Sequence, residues 1–116
     1  MTTEMVAFLL IAFHFVCDYS LQSDFIAVGK NPNNPTTNGV PWYWIMWSHC
    51  FVHGAAVALI TNSVILGAGE VLIHFVIDMS KCKKLINADV DQIAHLLCKL
   101  VWIGVYCYQW GWSYVR

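Results

Sequence analysis

Four long apolar stretches take up most of this sequence. Each lies close to the ~20 apolar residues with which a helix crosses a bilayer, so helical spans are the expectation. Several fall short because polar residues interrupt them, and those interruptions carry the information. Apolar residues make up 59% of the chain and charged ones 11%. Soluble domains run near 25% charged, so a membrane location follows. The predicted architecture is an all-α, membrane-embedded antiparallel four-helix bundle. It forms a single integral membrane domain of 116 residues, with helices over about 5–28, 42–61, 64–82 and 89–114.

Local signals set these bounds. The segment "GKNPNNPTTNGVP" is too dense in Gly, Pro and Asn for a helix. Pro41 suits a first helical turn, and the Trp and Tyr after it suit a membrane interface. Ser63 in "TNS" is positioned as an N-cap. The start "MTTEM" lacks a basic n-region, so the first apolar segment is expected to be retained. A net charge of -1 argues against nucleic acid as a partner. The five cysteines form no CxxC and read as small apolar side chains. Lys30, Lys81, Lys83 and Lys84 fall in two loops on one side, against Arg116 on the other. The positive-inside rule then puts both termini in the periplasm.

The polar interruptions repeat a pattern. Every histidine has a His or Asp four residues away: His14–Asp18, His49–His53, His74–Asp78 and Asp91–His95, one pair per helix. Residues at that spacing share a helical face. Imidazole and carboxylate are the donors that zinc, iron and manganese accept. With alternating helix directions, His14, His53, His74 and His95 form a deeper layer beneath Asp18, His49, Asp78 and Asp91. One helical turn separates the layers by ~6 Å, which suits a site of two metals. All eight are candidate metal ligands, with Asp18, Asp78 and Asp91 also placed as catalytic bases. A carboxylate at the centre of a membrane helix costs roughly 3 kcal/mol on insertion scales, and a divalent cation would offset that. Glu70 and Lys99 extend the same stripes one turn further and are expected to pair across helices. Gln22 and Gln92 are expected to orient ligands by hydrogen bonding.

These residues resemble a family known as domain of unknown function 3307, small integral membrane proteins of bacteria and phages. The likeness is carried by "HFVCDYSLQSDF", "HCFVH", "LIHFVIDMSK" and "DQIAHLL", in that order along the chain. It implies a multi-pass protein of the bacterial inner membrane, phage-encoded origin included, with a recurring His/Asp set and no settled activity. A looser likeness links the HxxxD elements to membrane metal-dependent hydrolases. HExxH, desaturase His boxes and phosphate loops are all missing from the sequence.

The leading expectation is a zinc or di-metal hydrolase-like enzyme acting on a lipid or amphiphile at the cytoplasmic half of the bilayer, with di-iron or manganese as alternatives to zinc. A second is a metal or proton carrier. A third is a phage-type interaction protein that disables a host membrane protein, using Trp42, Trp44, Trp47, Trp110 and Trp112. Small residues at Gly54, Ala55, Ala56, Gly67 and Gly69 permit close packing within the chain or in a homo-oligomer.

Overall fold

The computed structural model describes residues 1–34 and 39–110. The expected end of the last helix at 111–114, with Trp112 and Arg116, lies outside the described residues. All regular structure among the described residues is helical, with no strand. Helix α1 spans Thr3–Phe15 and runs directly into a five-residue π-helical segment, Val16–Ser20. Thr2 caps α1, its hydroxyl accepting from the Met5 amide at 3.1 Å. Short helix α2 spans Asp24–Gly29, α3 Trp42–Thr61, α4 Val64–Cys82 and α5 Ala88–Trp110.

The single helix expected over 5–28 is therefore divided. Ser23 accepts from the Ile26 amide at 3.4 Å, and Asp24 follows in the first turn of α2. Both favour a new N-terminus over continuation of the old one. Between α3 and α4 the chain turns on Asn62, held at φ 52°, and Ser63, whose hydroxyl accepts from the Leu66 amide. Asn87 caps α5 through the Val90 amide at 2.9 Å.

Each long helix touches two others: α1 packs on α3 and α5, and α4 packs on the same pair. The α3–α4 contact is the closest. A Cβ built on Gly54 would lie 2.7 Å from the Gly67 carbonyl oxygen, and one on Gly67 would lie 2.6 Å from Ala58 Cβ. Only glycine permits that approach between backbones. Gly54→Ala is therefore expected to destabilise the protein by about 1–3 kcal/mol, the usual range for overpacking. Gly104, with nothing within 4 Å of an added Cβ, supplies the control. Gly104→Ala should be neutral or stabilising by up to ~1 kcal/mol through helix propensity. Thermal unfolding of both variants in detergent checks the contrast.

The burial pattern inverts that of a soluble domain. All five histidines are buried, together with Asp18, Lys30, Glu70, Asp78, Asp91 and Lys99. Large apolar side chains face outward instead, including Phe8, Leu59, Val64, Ile65, Leu72, Val76 and Leu97. Three helical segments, Thr3–Ser20, Trp42–Thr61 and Ala88–Trp110, are long and apolar enough to cross a membrane. Of the four expected spans, α4 is not among these three. It carries Glu70, Asp78 and Lys81, and both carboxylates turn inward while Val64, Ile65, Leu72 and Val76 face out. Its outer surface is thus as apolar as its neighbours'. Past the polar interior, Val6, Leu10, Val57, Leu66 and Trp102 form an apolar cluster.

Candidate metal centre

The polar interior draws on every long helix. Asp18 lies in the π-helical segment, where the wider turn displaces it from the regular α-helical register. Its neighbouring geometry is pinned by Gln22, whose amide donates to the Asp18 backbone carbonyl at 3.0 Å. Gln22 thus steadies the backbone beneath Asp18, whereas orientation of a ligand side chain was expected. π segments recur at functional sites because they re-aim a side chain without ending the helix.

Asp18 Oδ1 lies 3.3 Å from His49 Nε2, 3.5 Å from His53 Nε2 and 3.9 Å from His74 Nε2. His49 and His74 approach each other through their Nε2 atoms at 3.2 Å. These four residues form a first group able to hold a metal ion. A second comprises His74, Asp78 and His95, and a third Asp18, Asp91 and His95. Within each group the ligand atoms lie within 4.8 Å of one another. Shared residues join the three into one continuous cluster. Asp78 Oδ1 lies 3.0 Å from His95 Nε2 and 3.6 Å from His74 Nε2, and Asp91 Oδ1 lies 3.4 Å from His95 Nε2. The rings of His53, His74 and His95 stack, with centroids 3.7 and 4.2 Å apart in succession.

The spacing suits coordination. Bonds of ~2.0–2.1 Å at tetrahedral angles put ligand atoms ~3.3 Å apart; His49–His74 and the three Asp18 separations run from 3.2 to 3.9 Å, and all separations in the group stay within 4.8 Å. His53 Nε2 and Asp91 Oδ1 are both buried without a hydrogen-bond partner. A buried polar atom left in that state costs ~1–3 kcal/mol, and a cation in the first group would relieve His53 as one in the third would relieve Asp91. The arrangement also mixes the two expected layers, since Asp18 and His49 come from the outer one and His53 and His74 from the deeper.

His14 stands apart from all three groups. Its Nε2 lies 3.0 Å from Gln92 Oε1 and 3.9 Å from Asp18 Oδ2. The Gln92 amide donates to Asp18 Oδ2 at 2.6 Å and to Asp91 Oδ2 at 3.2 Å. His14 therefore acts on the cluster through Gln92, which ties α1 to α5 and aims two carboxylates. Glu70 and Lys99 do pair, at 2.5 Å, and the Trp102 indole N–H donates to the other Glu70 oxygen at 2.6 Å. Glu70 Oε1 also lies 3.4 Å from His74 Nδ1. A carboxylate on that side of the ring leaves Nε2 facing the cluster, the usual device for orienting a ligating histidine.

Two participants escape the i,i+4 logic. Lys30, expected as a solvated loop residue, is buried with its ammonium 2.5 Å from Asp78 Oδ2. Its partner lies 48 residues away, so no local spacing announces it. Trp102 sits three residues after Lys99 on the His95–Lys99 stripe, a signal that could have been read. Cys17, Cys50 and Cys82 are buried and belong to none of the groups.

The family model described as "Protein of unknown function (DUF3307)" matches residues 5–115. No curated protein and no solved structure matches the chain.

Proposed function

The chain belongs to the DUF3307 family, for which no activity is described, and from that premise we propose that it is an integral membrane metalloprotein with hydrolase-like chemistry. In this reading the four long helices form an antiparallel bundle across the bacterial inner membrane, termini in the periplasm. The His/Asp cluster then lies in the cytoplasmic half. Three imidazoles and a carboxylate favour zinc in the first group. The neighbouring groups, sharing Asp18 and His74, suit a second cation bridged to the first. A divalent ion held there would lower the pKa of a bound water and make a nucleophile available at neutral pH. Asp91, whose Oδ1 has no hydrogen-bond partner, would serve either as a ligand of the third group or as the base that takes the proton. A substrate reaching this depth is lipid-like or amphiphilic.

The observation that carries the reading is the convergence of four buried donor atoms, all within 4.8 Å of one another. Elemental analysis of detergent-purified protein tests it. One or two equivalents of metal, about one per group occupied, are expected in the wild type, and almost none in His53→Ala/His74→Ala. Equal content in both, or none in either, would remove the reading.

Two features weigh against the alternatives. A carrier needs polar groups through the whole thickness, yet the column stops at Glu70, Lys99 and Trp102 against the Val6–Leu10–Val57–Leu66 cluster. For an interaction protein, the tryptophans would need to be free. Trp47 instead stacks on Phe75 at 4.4 Å, and Trp42 packs on the Met46–Cys50 cluster, while Trp44 and Trp110 remain exposed.

A further inference from the structure

Beside the cluster lies a cavity of about 140 Å³ between α2, the residues after it and the end of α4. Its polar lining is Gln22, Lys30, Asn31, Asp78 and Lys81. Asp78 belongs at once to this cavity and to the second metal-binding group. The two lysines are held by carboxylates of the cluster, Lys30 by Asp78 Oδ2 at 2.5 Å and Lys81 by Asp91 Oδ2 at 3.8 Å. Cations held by Asp78 in the second group and by Asp91 in the third would draw on those carboxylates and leave both ammoniums short of negative charge. Their nearest common space is the cavity.

We propose that this cavity receives the phosphate group of an anionic ligand, gripped by Lys30 and Lys81 and reaching the cation that Asp78 shares. The proposal rests on the metal reading and names the substrate class for it. Without a cation, Asp78 would repel a phosphate in the cavity, so binding of the two is linked. The volume admits a tetrahedral oxyanion with a few waters. Leu21, Phe25 and Val28, interspersed in sequence with the lining residues Gln22, Ala27 and Lys30, expose apolar side chains, a surface suited to the interfacial region where lipid head groups lie. Arginine is missing from the described site, and lysine serves here as a point charge for phosphate.

The test uses zinc-loaded, detergent-solubilised full chain, with metal content measured on each sample. Inorganic phosphate and short-chain phosphatidic acid in mixed micelles are titrated separately, followed by calorimetry and ³¹P line broadening. The expected result is binding that Lys30→Met and Lys81→Met each weaken by roughly 10- to 100-fold, the loss of one charge-assisted contact. Phosphatidic acid binding alone assigns a lipid head group, and inorganic phosphate binding alone assigns a free anion. Lys81, half exposed, supplies a variant whose folding does not depend on a buried pair. Failure of both probes on metal-loaded protein, or wild-type affinity in both variants, overturns the cavity proposal and leaves the metal reading standing. If the wild type holds no metal, the metal reading falls and the linked cavity proposal falls with it.

Discussion

Replacing Asp18 with asparagine is expected to strip metal from the first and third groups. Asp18 is the one residue common to the first and third groups, and its Oδ1 has the Nε2 atoms of His49, His53 and His74 within 3.9 Å. Asparagine keeps the shape and can still accept from Gln92, so packing should survive while the anionic ligand is lost. Substitutions in the shell around a metal cost roughly 10- to 100-fold in affinity, and loss of a shared ligand should exceed that. Chelator competition on detergent-solubilised protein measures it directly. His14→Ala makes the informative comparison, because the helical spacing ranks His14 with Asp18 whereas the structure places it behind Gln92. Its effect should stay inside the 10- to 100-fold range. A His14→Ala variant that loses metal as completely as Asp18→Asn would overturn that ranking. Unchanged metal in Asp18→Asn would sink the centre itself.

The largest effect on stability is expected one turn away. Glu70 and Lys99 are each 1% exposed and pair at 2.5 Å inside the helices. Removing one member of a buried pair leaves the other charge unmatched, at about 3–5 kcal/mol. Lys99→Met and Glu70→Met should each fall in that range. The double variant Glu70→Met/Lys99→Met removes both charges and fills similar volume, so it should lose much less than the sum. It still leaves the Trp102 indole N–H without its acceptor, a residual cost of ~1–3 kcal/mol. Denaturation of all four proteins in the same detergent gives the coupling. Strictly additive losses would show that the two side chains do not act as a pair. If the double variant also keeps its metal, the pair is structural and not needed to hold the ion.

Much of the centre was legible because helices convert spacing into direction. His49–His53, His74–Asp78 and Asp91–His95 do project into one interior, and Glu70 and Lys99 do meet across α4 and α5. The π-helical turn at Val16–Ser20 was not legible, since one widened turn of five residues is too short to leave a periodic trace. The break before α2 carried a readable signal in Ser23 and Asp24, obscured by the helix-compatible "FIAVG" that follows. Lys30 is the clearest failure. A lysine in a Pro- and Asn-rich loop has every local reason to face water, and only the folded chain brings Asp78 to it.

The distribution of the cluster along the chain also sets an order of assembly. Asp18, His49, His53 and His74 all precede the loop before α5, so a nascent chain possesses the whole first group before its last helix exists. The groups containing His95 must wait for α5, which docks against both α1 and α4. Ion capture during biosynthesis would thus proceed in two stages, and a chain released without α5 would carry a half-built centre with a single position to occupy.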